Sequence, residues 1–247
     1  MSAERIWLPY CGAAPVPADL LARWNFDPIL LAALLGLGLA SHLRTRTAEP
    51  WRRGCFAMAF LLLVLLFVSP FCALTSALFS ARVVHHVLLG LVLAPLLVTA
   101  FPAWRVHGSV PGWTAIQALI FWLWHSPPVY GWALSNDAVY WSMQISLTAS
   151  AIGFWSGLRH ASTPTAIAAL LASMVQMGLL GALITFSGAP LYAPHLATTA
   201  AWGLSPLEDQ QLAGLIMWAP AAGLYLAAAL ALAGRWLGRE ARLSPAP

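Results

Sequence analysis

The chain has 247 residues, 60% of them hydrophobic and 8% charged, with a mean hydropathy of +0.77. A soluble domain carries about 25% charged residues, so a water-soluble globular protein is excluded and an integral membrane protein is read instead. The formal charge of +4 comes from arginines alone on the basic side; in a membrane protein such loops report topology first, which removes nucleic acid from the partners.

Thirteen Trp and five Tyr suit the aromatic belts of a helical bundle. Runs such as Leu61 to Val68 lack the alternation a barrel strand needs. Residues 1–27 hold Arg5 but no apolar core of signal-peptide length, and Pro9, Pro15 and Pro17 break them. They are read as an extracytoplasmic N-terminal segment that stays in the mature protein.

Counting about 20 apolar residues per crossing, the sequence predicts seven spans. They run Pro28 to His42, Gly54 to Cys72, Arg82 to Pro102, Pro111 to Trp124, Ala138 to Leu158, Pro164 to Ser187 and Gln210 to Trp236. The expected fold is thus an all-α integral membrane protein, a bundle of seven transmembrane helices over residues 28–236 with a cytoplasmic tail at 237–247. The fourth apolar stretch is short, and Pro127 with Pro128 forbids its continuation. A six-span arrangement with a re-entrant fourth segment therefore competes.

Charge sets the orientation. Arg44, Arg46, Arg52, Arg53, Arg105, Arg159, Arg235, Arg239 and Arg242 fall on one set of alternate loops, whereas Arg5, Arg23 and Arg82 fall on the other. The positive-inside rule puts the larger set in the cytoplasm, the N-terminus outside and the C-terminus inside. Glu4, Asp19, Asp27, Asp137, Glu208 and Asp209 then lie outside, and Glu49 and Glu240 inside.

On this topology His42, His107 and His160 sit in basic inner loops, where a solvated role is expected. His85, His86, His125 and His195 fall on the outer side with Cys11, Cys72 and Met143, while Cys55 is near the inner one. The stretch Ser80 to Pro102 is long enough to cross a bilayer, yet it begins with Arg82, His85 and His86. Ionisable groups at the end of an apolar span are costly and mark a functional site by default.

Adjacent helical residues differ by about 100° in direction, so His85 and His86 cannot both face one partner. His86 shares a face with Arg82 and with Gly90, which would admit a close neighbour, and is taken as the inward residue. Pro95 should kink or loosen the span. His125 closes the fourth span in FWLWHSPP, held where the helix must stop, with Gln117 two turns earlier. At the same depth as His86 it is a candidate ligand or proton carrier.

In LSPLEDQQLAGLIMWAP, Ser205, Pro206 and Glu208 form a capping-box pattern, and Asp209, Ala213 and Met217 follow at four-residue spacing on one stripe. Gly214 permits close packing. Imidazoles, a thiol and thioethers on one membrane face make a soft-metal set of the kind Cu(I) prefers, whereas zinc would favour a closed set of four His or Cys. No HxxxH, HExxH or CxxC spacing is present. Two histidines on facing helices would equally serve as axial haem ligands. Cys11 and Cys72 share an oxidising compartment on this topology and are open to a disulfide instead of metal.

Four ordered motifs carry a resemblance. PYCGAAPVPADLLARWNFDP at Pro9 to Pro28, VVHHVLLGLVLAPLL at Val83 to Leu97, WLWHSPPVYGWAL at Trp122 to Leu134, and LSPLEDQQLAGLIMWAP at Leu204 to Pro220 resemble the multi-span cytochrome c oxidase assembly factors of the CtaG membrane type. The resemblance implies a bacterial inner-membrane protein for maturation of haem-copper oxidase, in copper delivery or insertion. It further implies oxidase subunits and a periplasmic copper chaperone as partners.

In that family's pattern a His stands where this chain has Arg82, and a His pair where it has Tyr140 and Gln144; His86, His125, Asp209 and Met217 match. The residues and the resemblance together give a candidate copper set of His86, His125, His85, Met217 and Cys11, with Asp209, Arg82 and His195 behind them and Asp209 orienting a His. No nucleophile, base and orienter assemble, so no enzyme is expected. A metal-free scaffold holding an oxidase subunit and a copper or proton transporter are the alternatives.

Overall fold

In the computed structural model, residues 7–103 and 106–243 are described. Arg5, Glu4 and Arg105, and the side chains of Glu240 and Arg242, all counted above in the charge asymmetry, lie outside the described residues. Among the described residues the chain is helical, with no β-strand.

Proline and short polar side chains set the helix starts. Helix α1 (Pro28–Thr45) opens on Pro28, with Asp27 accepting from the Leu30 amide at 2.8 Å, which satisfies one of the free N–H groups of the first turn. Helix α2 (Pro50–Phe67) likewise opens on proline. The second span was expected to run to Cys72 but stops at Phe67, because Ser69 caps a new helix, α3 (Pro70–Ala77), with Pro70 in its first position. Cys72 therefore belongs to α3.

After an extended Leu78, α4 (Phe79–Leu88) passes through a π turn at Leu89–Leu93 into α5 (Ala94–Ala100). The expected loosening at Pro95 takes this form. In the π turn the Ala94 amide donates to Leu89 O, five residues back. The next carbonyl in that register, Gly90 O, would need the N–H of residue 95, which proline lacks. The Trp155 indole N–H fills the gap at 2.8 Å.

Helix α6 (Val110–His125) ends two residues before Pro127 opens α7 (Pro127–Ala133), with Ser126 between them, as the two prolines require. Then come α8 (Asp137–Leu158) and α9 (Thr163–Thr185). A loop with two short 3-10 turns, Ala193–His195 and Ala200–Trp202, leads to α10 (Pro206–Ile216). A second π turn, Met217–Ala221, surrounds Pro220 and joins α10 to α11 (Ala222–Leu243).

Among the described residues, five helices are long and apolar enough to cross a membrane: Pro28–Thr45, Pro50–Phe67, Phe79–Ala100, Thr163–Thr185 and Pro206–Arg239. Helix α6 has 16 residues, a length of about 24 Å against a hydrocarbon core of about 30 Å. Helix α8 has the length but carries Ser142, Gln144, Ser146, Thr148 and Ser150. Four of these hydroxyls donate to carbonyls three or four residues back, so they sit in apolar surroundings without an unpaired donor.

Helix α9 packs along α10 and α11, α6 lies between α8 and α9, and α4 packs on α10. The main core includes Phe79, Val83, Phe121, Tyr140, Phe154, Met177, Met217 and Tyr225. Helices α1 and α2 stand at the periphery with Ile29, Leu35, Leu39, Leu61 and Leu65 exposed, a surface suited to lipid.

Candidate functional site

The break at Leu78 creates the site. Leu78 itself offers no side-chain cap to α4, and the cap comes from α10 instead. Asp209, wholly buried, accepts from the Phe79 amide at 2.6 Å, the Ser80 amide at 3.2 Å and the Ser80 hydroxyl. A carboxylate at a helix N-terminus is favoured by both the free N–H groups and the helix dipole. Asp209 was expected to orient a histidine; among the described residues its oxygens bond to the start of α4 and to no imidazole. It fixes the histidines through the helix that bears them.

Arg82, His85 and His86 occupy the next two turns, each at most 1% exposed. The two imidazoles diverge, as adjacent helical positions must. His85 lies edge-on to Phe67 at 5.0 Å and beside Phe71 at 6.3 Å between ring centroids. His86 faces His125 at 5.3 Å, with the rings nearly perpendicular. Both are buried, so the choice of His86 over His85 is a choice of neighbour and not of burial.

His125 is locked by the end of α6. Its Nδ1 bonds to Phe121 O at 2.7 Å and its own carbonyl accepts from the Tyr192 hydroxyl at 2.8 Å. A carbonyl can only accept, so Nδ1 carries the proton and Nε2 the lone pair. That Nε2, and both ring nitrogens of His86, are buried without a hydrogen-bond partner. Buried polar atoms are ordinarily paired, and two imidazoles with unpaired ring nitrogens on facing helices are the strongest ligand-like feature among the described residues.

A cavity of about 10 Å3 adjoins His86, lined also by Gly90, Gln117, Phe121, Met177 and Tyr225. This is room for about one water-sized occupant. Gln117 donates to the Tyr225 hydroxyl at 3.2 Å, while its Oε1 is unpaired. Gly90 was expected to admit a close helix, yet a Cβ there would meet nothing within 4 Å; its place is in the cavity wall.

The remaining candidates scatter. Cys11 is joined to Cys72 in a disulfide, Cα to Cα 5.4 Å. Cys11 thus leaves the ligand set while the bond holds, because a disulfide sulfur is not a thiolate. Its Sγ lies 3.6 Å from the Tyr140 hydroxyl. Met217 is buried where α10 packs on α9, its Cβ 3.0 Å from where a side chain on Gly181 would begin, and it is not among the residues lining the cavity. His195 bonds through Nε2 to the Tyr130 hydroxyl at 2.7 Å, which fastens the loop between α9 and α10 over the bundle end. Burial holds its imidazole down at about 3.

The Arg82 guanidinium lies 5.3 Å from the Tyr140 ring, and its three buried nitrogens make no close hydrogen bond among the described residues. Tyr140 and Gln144, which stand where the family pattern has a His pair, are both buried. Among the described residues, no group of three or more His, Cys, Asp and Glu comes together to hold a metal ion. Sequence reasoning missed Met177, Tyr130 and Tyr192. Nothing in their local pattern distinguishes them from core residues, and only packing brings them to the histidines.

Residues 34–114 and 104–239 match the family model for the cytochrome c oxidase caa3 assembly factor, Caa3_CtaG. No curated protein and no solved structure matches the chain.

Proposed function

The chain belongs to the cytochrome c oxidase caa3 assembly factor family, and on that premise we propose that it hands Cu(I) to an oxidase subunit from the His86–His125 pair. The observation that carries this reading is the juxtaposition of two buried imidazoles, 5.3 Å apart and with unpaired ring nitrogens. Neutral imidazoles suit a soft monovalent ion. The small space beside His86 favours an ion over a haem macrocycle.

In this proposal the chain crosses the bacterial inner membrane seven times, α6 and α8 included, with the N-terminus outside. The histidines then lie near the outer face. A groove of about 1020 Å3 opens between the N-terminal segment, α7 and the loop before α10, with Trp7, Ser76, Pro128, Trp132, Pro194 and Thr198 on its walls. It gives the oxidase subunit or a periplasmic copper chaperone a place to sit above the pair.

Changing His86 and His125 together to Ala should lower the copper content of the oxidase in membranes while leaving the amount of this protein unchanged. Full copper content and activity in the double variant would overturn the reading. A metal-free scaffold is favoured by one observation, the lack among the described residues of a three-member group of His, Cys, Asp and Glu. On that reading the double variant matures oxidase normally.

A further inference from the structure

We propose that Met177 supplies a thioether to the copper ion, completing with His86 and His125 a set of three neutral, soft ligands. This rests on the copper reading above and adds a residue to it. His86 from α4 and Met177 from α9 line the same cavity of about 10 Å3, with the unpaired nitrogens of His86 among the few polar atoms beside it, while His125 stands outside its lining and joins the set through its ring contact with His86 at 5.3 Å.

Met177 is 3% exposed, on the buried stripe of α9 with Ser173, Leu180, Gly181 and Ile184. A methionine in a bundle is ordinarily filler. Here Phe121 and Leu147 already supply apolar wall to the same cavity, and the flexible thioether borders a space it leaves unfilled.

The chemistry of the donor set points the same way. With no trio of His, Cys, Asp and Glu among the described residues, the closed sets zinc requires cannot form. Two imidazoles and a thioether bring no negative charge. Arg82, four residues before His86 and on its helix face, brings a fixed positive one into the buried end of the bundle. A like charge penalises a divalent ion twice as heavily as a monovalent one at the same distance. The site therefore selects Cu(I) over Cu(II) and Zn(II) by charge as well as by softness.

The test uses the purified full chain in detergent, loaded anaerobically with Cu(I) against a chromophoric Cu(I) chelator and followed by X-ray absorption at the copper edge. Met177→Leu preserves volume and removes only the sulfur. Met217→Leu is the matched control, and His86→Ala with His125→Ala tests the pair. The wild type should show sulfur in the copper shell. Met177→Leu should lose that sulfur and bind at least about tenfold more weakly, with Met217→Leu like the wild type.

An unchanged sulfur shell and affinity in Met177→Leu would overturn the thioether assignment and leave the copper reading standing. So would loss of the sulfur in Met217→Leu alone. A wild type that takes up no copper, or a double histidine variant that binds it as the wild type does, would overturn both.

Discussion

Asp209 shows how a single side chain can place others without touching them. Its carboxylate closes the N-terminus of α4 from another helix, and α4 then holds His85 and His86 in register. Asp209→Ala leaves two amides and a hydroxyl buried without an acceptor, and should cost about 1–3 kcal/mol in thermal unfolding in detergent. Asp209→Asn keeps an acceptor and should lose less. An equal loss in the two would mean that the negative charge and the second accepting oxygen, not volume or a single acceptor, are what the position supplies.

His195 carries a pH dependence of known sign. Its imidazole is held at about 3 in the folded chain, against 6.5 when free. In that window the unfolded state binds a proton that the folded state does not, so this contribution to stability is intact above pH 6.5 and is lost as pH falls towards 3. His195→Gln should flatten that part of a plot of melting temperature against pH, and an unchanged slope would count against it.

At the scale of elements, two glycines that look alike in sequence have opposite roles. A Cβ on Gly214 would overlap Thr185 Oγ1 and lie 2.5 Å from Gly181 O, so α10 meets α9 through glycine backbone. Gly214→Ala should force these helices apart and cost roughly 1–3 kcal/mol. Around Gly90 a Cβ meets nothing within 4 Å, and Gly90→Ala should be neutral or stabilise by up to about 1 kcal/mol. Melting temperatures of the two variants read the difference, and similar losses in both would contradict it.

The same scale explains which boundaries were legible. The end of α6 at His125 and the capping box of Ser205 and Glu208 depend on residues within a few positions of each other, and the spacing reveals them. The stop of α2 at Phe67 was legible in Ser69 and Pro70 but was overridden by the apolar run that continues to Cys72. The π turn before Pro95 was not legible in detail, because its unpaired carbonyl is satisfied by Trp155, far along the chain.

For the whole molecule, the Cys11–Cys72 disulfide ties the N-terminal segment to α3 across a separation of 61 residues. Tyr10 reinforces the tie by stacking on Tyr140 at 5.1 Å, and Trp202 donates to Pro15 O at 3.1 Å. Replacing both cysteines by Ser should lower stability by roughly 2–5 kcal/mol. Reductant should lower the melting temperature of the wild type but not of the variant. A wild type indifferent to reductant would show that the segment is held by its aromatic contacts alone.

Apolar run length, composition and ordered motifs are properties of the chain read along one dimension, and they suffice for a helical membrane protein of an oxidase assembly family. The sequence also singled out the histidines, because ionisable residues beside apolar spans stand out against their surroundings. Who meets whom follows from helix packing in three dimensions: His86 with His125, Asp209 with the start of α4, Cys11 with Cys72, and Met177 instead of Met217 at the cavity. Those contacts join residues from 39 to 130 positions apart, and the relative rotation and depth of packed helices, which sets them, comes from the summed packing of whole faces that no local spacing encodes.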